Sequence, residues 1–198
     1  TGPLHIGHGR GMILGEVTAK FLSYQGHKIV REYYVNDAGR QIDLLLVSVL
    51  LCHLGKNKHI FVDEKTNEDG HLVTYKGNYV NDVAISLGHE LEKIDKDSVL
   101  NLLNEPIDSL ISFLKNHKSY SQIRNALVNV IIDKYIKEDL SAVGINFDSW
   151  FRESQLYETG LLDEVLSNIK NKNLSYRKDG ALWFKNTQFG DDQDRVLI

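Results

Sequence analysis

Apolar residues return at helical intervals through most of this chain and crowd together in a few short stretches, and the switches between the two patterns mark out its elements. Ile13, Val17, Phe21 and Tyr24 follow one another at three- and four-residue steps, one face of a helix that begins near Gly9. Gly26 ends it, because glycine takes the left-handed conformation at a helix C-terminus without steric cost. Residues 27–35, rich in Ile, Val and Tyr, predict a strand. Ile42, Leu45, Leu46, Val49 and Leu50 then recur with the helical period up to Gly55. Loop, helix, strand and helix in that order open a parallel α/β fold, whose ligands sit at the carboxyl ends of the strands. Asn36, Asp37, Arg40 and Gln41 fall at such an end. For Asn36 and Asp37 a cap on the next helix is an equal reading, since a short side-chain oxygen accepts from the first exposed N–H groups.

From residue 56 the pattern changes. The polar run 63–70 separates two short β-like runs and predicts a hairpin. Val80, Val83, Ala84, Leu87, Leu91 and Ile94 form a helical stripe, Pro106 suits the start of a helix carrying Ile107, Leu110, Ile111 and Leu114, and Ile123, Leu127, Val130 and Ile131 mark a third. With apolar faces to bury and no Pro or Ser tract, this stretch reads as an inserted, mainly helical module and not as a linker. Residues 145–151 predict a strand, and 161–172 a helix with Leu162, Val165, Leu166 and Ile169 on one face. Lys178-Asp179-Gly180 predicts a turn between two further short strands.

Composition narrows the class. The chain has 198 residues, 42% hydrophobic and 25% charged, which fits one or two small globular domains. A net charge of -4 argues against a whole-surface footprint for nucleic acid. The single cysteine, Cys52, lies among leucines and valine and reads as a small buried thiol, which fits a reducing cytoplasm. The most apolar run, residues 44–54, is broken by Ser48 and His53 and is too short to cross a bilayer. Lys115, His117, Lys118 and Arg124, with Tyr120 between them, read first as a solvated helix end and second as a small basic patch. Asp191, Asp192 and Asp194 read as an acidic loop before a Mg²⁺ site.

The chemistry concentrates at the start, in Thr1-Gly2-Pro3-Leu4-His5-Ile6-Gly7-His8-Gly9-Arg10-Gly11, where a glycine-rich loop opens into the first helix. Gly7 and Gly9 let a polyphosphate approach the backbone, and the helix start offers unpaired N–H donors and the positive end of its dipole. His5 and His8 add directed donors that stabilise charge building on phosphate oxygens during in-line displacement. The bland alternative is a pair of histidines on a loop.

The run Thr1 to Arg10 resembles the signature of class I aminoacyl-tRNA synthetases, in which a His-Ile-Gly-His element binds ATP and forms an aminoacyl adenylate. More narrowly the chain resembles arginyl-tRNA synthetase. That match is carried by Arg31-Glu32-Tyr33-Tyr34-Val35-Asn36-Asp37-Ala38-Gly39-Arg40-Gln41-Ile42, Tyr75-Lys76-Gly77-Asn78-Tyr79, Leu156-Tyr157-Glu158-Thr159-Gly160, Asp179-Gly180-Ala181-Leu182-Trp183-Phe184 and Phe189-Gly190-Asp191-Asp192-Gln193-Asp194-Arg195-Val196. The resemblance implies part of a Rossmann-like class I synthetase catalytic domain with a largely helical connective insertion. Residues 1–55 would begin the nucleotide-binding domain, 56–145 form the insertion, and 146–198 lead back to the catalytic fold as mixed α/β structure.

The implied activity is arginine–tRNA ligation: ATP and arginine give arginyl adenylate and pyrophosphate, and the arginyl group passes to the terminal ribose of tRNA. His5 and His8 would be catalytic, Thr1, Gly2, Pro3, His5, Gly7, His8 and Gly9 would hold ATP, and Asn36, Asp37 and Gln41 would line the substrate pocket. Mg²⁺ would accompany ATP on its phosphates, with no resident metal; the partners would be tRNA(Arg), arginine and ATP, with no membrane, in a cytoplasmic monomer. By the same resemblance the chain starts inside the signature and stops before the Lys-Met-Ser-Lys-like loop and the anticodon-binding domain, so a partial domain, inactive alone, is expected. A small nucleotidyltransferase with the same His-x-Gly-His element and a non-catalytic RNA-binding module are the alternatives.

Overall fold

The structure, a computed structural model, describes residues 2–61 and 74–197. The hairpin predicted around 63–70 lies outside the described residues. The chain divides into two compact units, Thr1–Trp150 and Phe151–Ile198.

The first unit is built around one central helix. The predicted opening helix is present as α1 (Ile6–Tyr24), three residues longer at its start than the apolar pattern alone indicates. A short strand, β1 (Glu32–Val35), replaces the longer one predicted over 27–35. Next comes α2 (Arg40–His53), in which every residue from 42 to 51 is buried, not only the predicted stripe. A helix apolar on all sides belongs at the centre of a core. Packed against it are α3 (Asn78–Ser86), α4 (Gly88–Leu91), α6 (Ile107–Asn116) and α7 (Tyr120–Ile131), while α5 (Lys96–Leu102) packs on α6. Leu46 and Leu50 therefore share one core with Val83, Leu110 and Leu127. The polar Ser48 is accommodated inside because its hydroxyl donates to the Leu44 carbonyl (2.7 Å) and accepts the Tyr75 N–H (2.9 Å).

Two expectations for this unit are corrected. The Asn36–Asp37 pair does not cap α2: the helix begins after Gly39, whose φ of +80° suits glycine, and Asp37 is buried instead. The face Ile13, Val17 and Phe21 of α1 is not buried either; these side chains are about 60% exposed, and α1 contributes no buried residue. Only Leu4 and Met12, near its start, pack against the core. Charge holds its middle, through Glu16 to Arg31 at 2.8 Å and to Lys20 at 3.3 Å. Arg31 is also the joint at which β2 (Ser149–Arg152) meets β1: its carbonyl accepts the N–H groups of Asp148 (2.8 Å) and Ser149 (3.0 Å), and its own N–H donates to the Asp148 carboxylate (2.8 Å).

The stripe from Val80 to Ile94 breaks at Leu87 into α3 and α4, and Pro106 precedes α6 as predicted. After α7 the helix continues through a π turn, Ile132–Ile136, into α8 (Lys137–Ala142). Buried positions along it are Ile123, Leu127, Val128, Ile131, Ile132, Ile136 and Leu140. Ile136 follows Ile132 by four residues and Ile131 by five, and a turn closed by i→i+5 bonds sets it beside both.

The second unit holds α9 (Ser154–Glu158), α10 (Leu161–Asn171), β3 (Ser175–Lys178), β4 (Ala181–Phe184), a 3₁₀ turn (Asn186–Phe189) and β5 (Arg195–Val196). The predicted hairpin pairs Tyr176 with Trp183 and Lys178 with Ala181, and β5 adds antiparallel to β4. Asp179 (φ +52°) and Gly180 (φ +80°) form its two-residue turn, the geometry that follows the strand twist. The acidic loop is a set of turn caps: Asp191 accepts from the Asn186 amide (2.9 Å) and Asp194 from the Thr187 N–H (3.0 Å) and hydroxyl (2.8 Å). No group of three ligating side chains suited to a metal occurs among the described residues.

Candidate functional site

The first turn of α1 is closed by its own histidines. His5 is the N-cap, in an extended conformation, and its Nδ1 accepts the Gly7 N–H (3.1 Å). The His5 N–H donates in return to His8 Nδ1 (3.2 Å), a reciprocal capping box made from two imidazoles where Ser and Glu are usual. The rings stack with centroids 3.8 Å apart. A ring whose Nδ1 accepts a hydrogen bond is neutral and carries its proton on Nε2. Two exposed Nε2–H donors therefore stand together at a helix N-terminus, where the dipole favours an anion.

Gly7 serves this arrangement directly. A Cβ there would lie 2.9 Å from the His5 ring, so any side chain would push the cap out of place. At Gly9 a Cβ would meet only Ile6, at 4.0 Å, which leaves that side of the turn open to a ligand. Gly2 and Pro3 lie half-buried at the head of the loop; Thr1 is outside the described residues.

Asn36, Asp37 and Gln41 form a second group, on the turn from β1 into α2. Asp37 is fully buried and its N–H donates to the Val35 carbonyl (3.0 Å); Asn36 and Gln41 are exposed. Asn36 borders a cavity of about 90 Å³ whose other walls include Tyr33, Ile42, Val128, Ile132 and Ile136. The π turn thus supplies one wall of the space beside Asn36.

A buried carboxylate behind this turn was not legible beforehand. Asp43, 4% exposed, accepts from the Tyr120 hydroxyl (2.5 Å) and pairs with Lys115 (2.8 Å). Arg124 lies over the Tyr120 ring at 5.9 Å, and His117 Nδ1 accepts the Ser119 N–H (3.2 Å). Burial, then Asp43, push the Tyr120 hydroxyl up to about 12, so it stays a donor. Arg40, one helical turn before Leu44, pairs with Asp108 of α6. Lys115 and Tyr120, read from sequence with a solvated helix end, instead tie the start of α2 to the helical module. Asp43 stands in the sequence directly beside the apolar stripe, and only the unbroken apolarity of residues 44–47 hinted that this side of α2 was also covered.

Comparison with known proteins shows the family. Residues 1–198 match the family described as tRNA synthetases class I (R), catalytic domain. The arginine–tRNA ligase of Aquifex aeolicus is 37% identical over all of this chain, which spans 36% of that protein, and that of Acidithiobacillus ferrooxidans is 37% identical, with 34% of its length spanned. A solved structure titled as a putative arginyl-tRNA synthetase from Campylobacter jejuni superposes with a TM-score of 0.64 at 31% identity, covering all of this chain and 38% of that one. The chain thus spans about a third of the length of the relatives it matches, and it belongs to the class I arginyl-tRNA synthetase family, within the catalytic domain.

Proposed function

We propose that this chain supplies the nucleotide-binding start of an arginine–tRNA ligase, which activates arginine with ATP and transfers it to tRNA. The observation that carries the reading is the imidazole capping box: two stacked, exposed histidines, each with its Nδ1 engaged in the cap, at the N-terminus of α1. When ATP reacts at its α-phosphate, negative charge builds on phosphate oxygens, and donors fixed in advance stabilise it without reorganising. His5 and His8 fill that role, Gly9 keeps the approach open, and Gly2, Pro3 and Gly7 frame the loop. Asn36, Asp37 and Gln41, at the carboxyl end of β1, suit a substrate pocket on a Rossmann-like fold. Mg²⁺ fits as a companion of ATP held by phosphate oxygens, since such ions need few protein ligands. The partners of this reading are ATP, arginine and tRNA(Arg).

ATP–pyrophosphate exchange by the full-length protein with tRNA tests it. Exchange that depends on arginine and falls about 100-fold or more in His8→Ala is the expected result. Exchange indifferent to arginine, or unchanged by His8→Ala, refutes the reading.

A further inference from the structure

α1 buries none of its own side chains and touches the core only through Met12, so its packing holds the preceding loop weakly. Two further anchors are Leu4 on the core and Tyr79. This tyrosine stands in the first turn of α3, directly after Gly77 and Asn78. Gly77 has φ +126°, a conformation side chains rarely adopt, and its missing Cβ would sit 3.4 Å from the Tyr79 ring. On another side the ring meets Tyr135 of the π turn edge-to-face, centroids 6.2 Å apart, and Tyr135 donates to Asp82 of α3 (3.2 Å). The far end of the phenol reaches the loop: a Cβ on Gly2 would lie 3.8 Å from the Tyr79 hydroxyl. Burial first, then Tyr75, push that hydroxyl up to about 12, so it remains protonated at neutral pH.

We infer that Tyr79 is a positioning residue: a rigid strut from the helical module to Gly2 that sets the path of the loop and, through it, the His5–His8 cap. The strut gives the module a mechanical hold on nucleotide affinity, a consequence that rests on the ATP reading above. A methyl at position 2 would meet the Tyr79 hydroxyl at ordinary van der Waals distance, so the loop passes close beside the phenol without being pressed by it.

Tyr79→Leu and Tyr79→Phe in the full-length protein test this, with amide exchange at Gly7 and His8 as a readout independent of ATP. Tyr79→Leu is expected to speed exchange at both amides, to raise KM for ATP about tenfold, and to leave KM for arginine unchanged. Tyr79→Phe, which keeps the packed ring and removes only the hydroxyl beside Gly2, should speed exchange at the same amides to a smaller extent, and it decides the matter if the Leu variant does not fold. Unaltered exchange at Gly7 and His8 overturns the strut, as does an ATP KM that stays at the wild-type value. A wild type that does not use ATP, with exchange still faster in Tyr79→Leu, sinks the ATP reading and leaves the strut standing.

Discussion

His5 and His8 each use one ring nitrogen to hold the helix start and leave the other to face solvent, so the same rings are cap and donor. Gly7→Ala is therefore expected to act through His5: the new methyl displaces the ring, and the loss of a cap costs about 1 kcal/mol of stability to the start of α1, readable as faster amide exchange there. Asp43 presents the opposite case, a buried group whose oxygens are both engaged. Asp43→Ala leaves the Tyr120 hydroxyl without its acceptor, while the half-exposed Lys115 turns to water, and should cost about 2 kcal/mol in urea denaturation; Tyr120→Phe, which removes one bond, should cost about 1 kcal/mol. The Glu16 carboxyl is held below the ordinary glutamate range, chiefly by its hydrogen bond from Arg31 and then by Lys20. A depressed carboxylate contributes stability above its unfolded value and loses it as pH falls through the folded one. Wild type should accordingly exceed Glu16→Gln in stability at neutral pH and converge with it in acid, which a pH series of melting curves checks.

Elements reveal what periodicity can and cannot convey. The stripes on α6, α7 and α10 announced those helices because each presents a single apolar side. The burial of α2 on every side was under-read, since a stripe picks out one face and the remaining leucines look redundant until four other helices surround it. The α1 stripe misled in the other direction: Ile13, Val17 and Phe21 have the spacing of a buried face and are exposed. Spacing states that a face is apolar and not which residues cover it. Of the site, the loop was legible because His-x-Gly-His is compact in sequence, whereas Asp43 and Tyr120 lie 77 positions apart and meet only through packing. In this chain the α1 face should bind a hydrophobic dye such as ANS. Val17→Ser with Phe21→Ser should remove most of that signal while changing unfolding free energy by no more than about 0.5 kcal/mol per site, as expected for exposed positions.

At the scale of the molecule the two units differ in how much they enclose. The first gathers buried side chains from α2 through α8, whereas Leu182 is the only buried hydrophobic among the described residues of the second. A unit with so little core opens at low free energy. Hydrogen exchange under native conditions should find the β3–β4 amides exchanging at least tenfold faster than those in the middle of α2. The π turn at Ile132–Ile136 carries a consequence of another kind, for chain length. Regular helices resist the loss of a residue, because everything beyond the gap swings by about 100°. Here the π turn already carries one residue more than an α-helical turn, and Lys134 within it is exposed. Deleting Lys134 would bring Ile131 and Ile136 four apart and turn the wide turn into ordinary helix, leaving Leu140 inside. This makes residues 132–136 a seam where a sequence can shorten by one without turning its core outward, while the same deletion a turn earlier, at Asn129, has no such slack to consume.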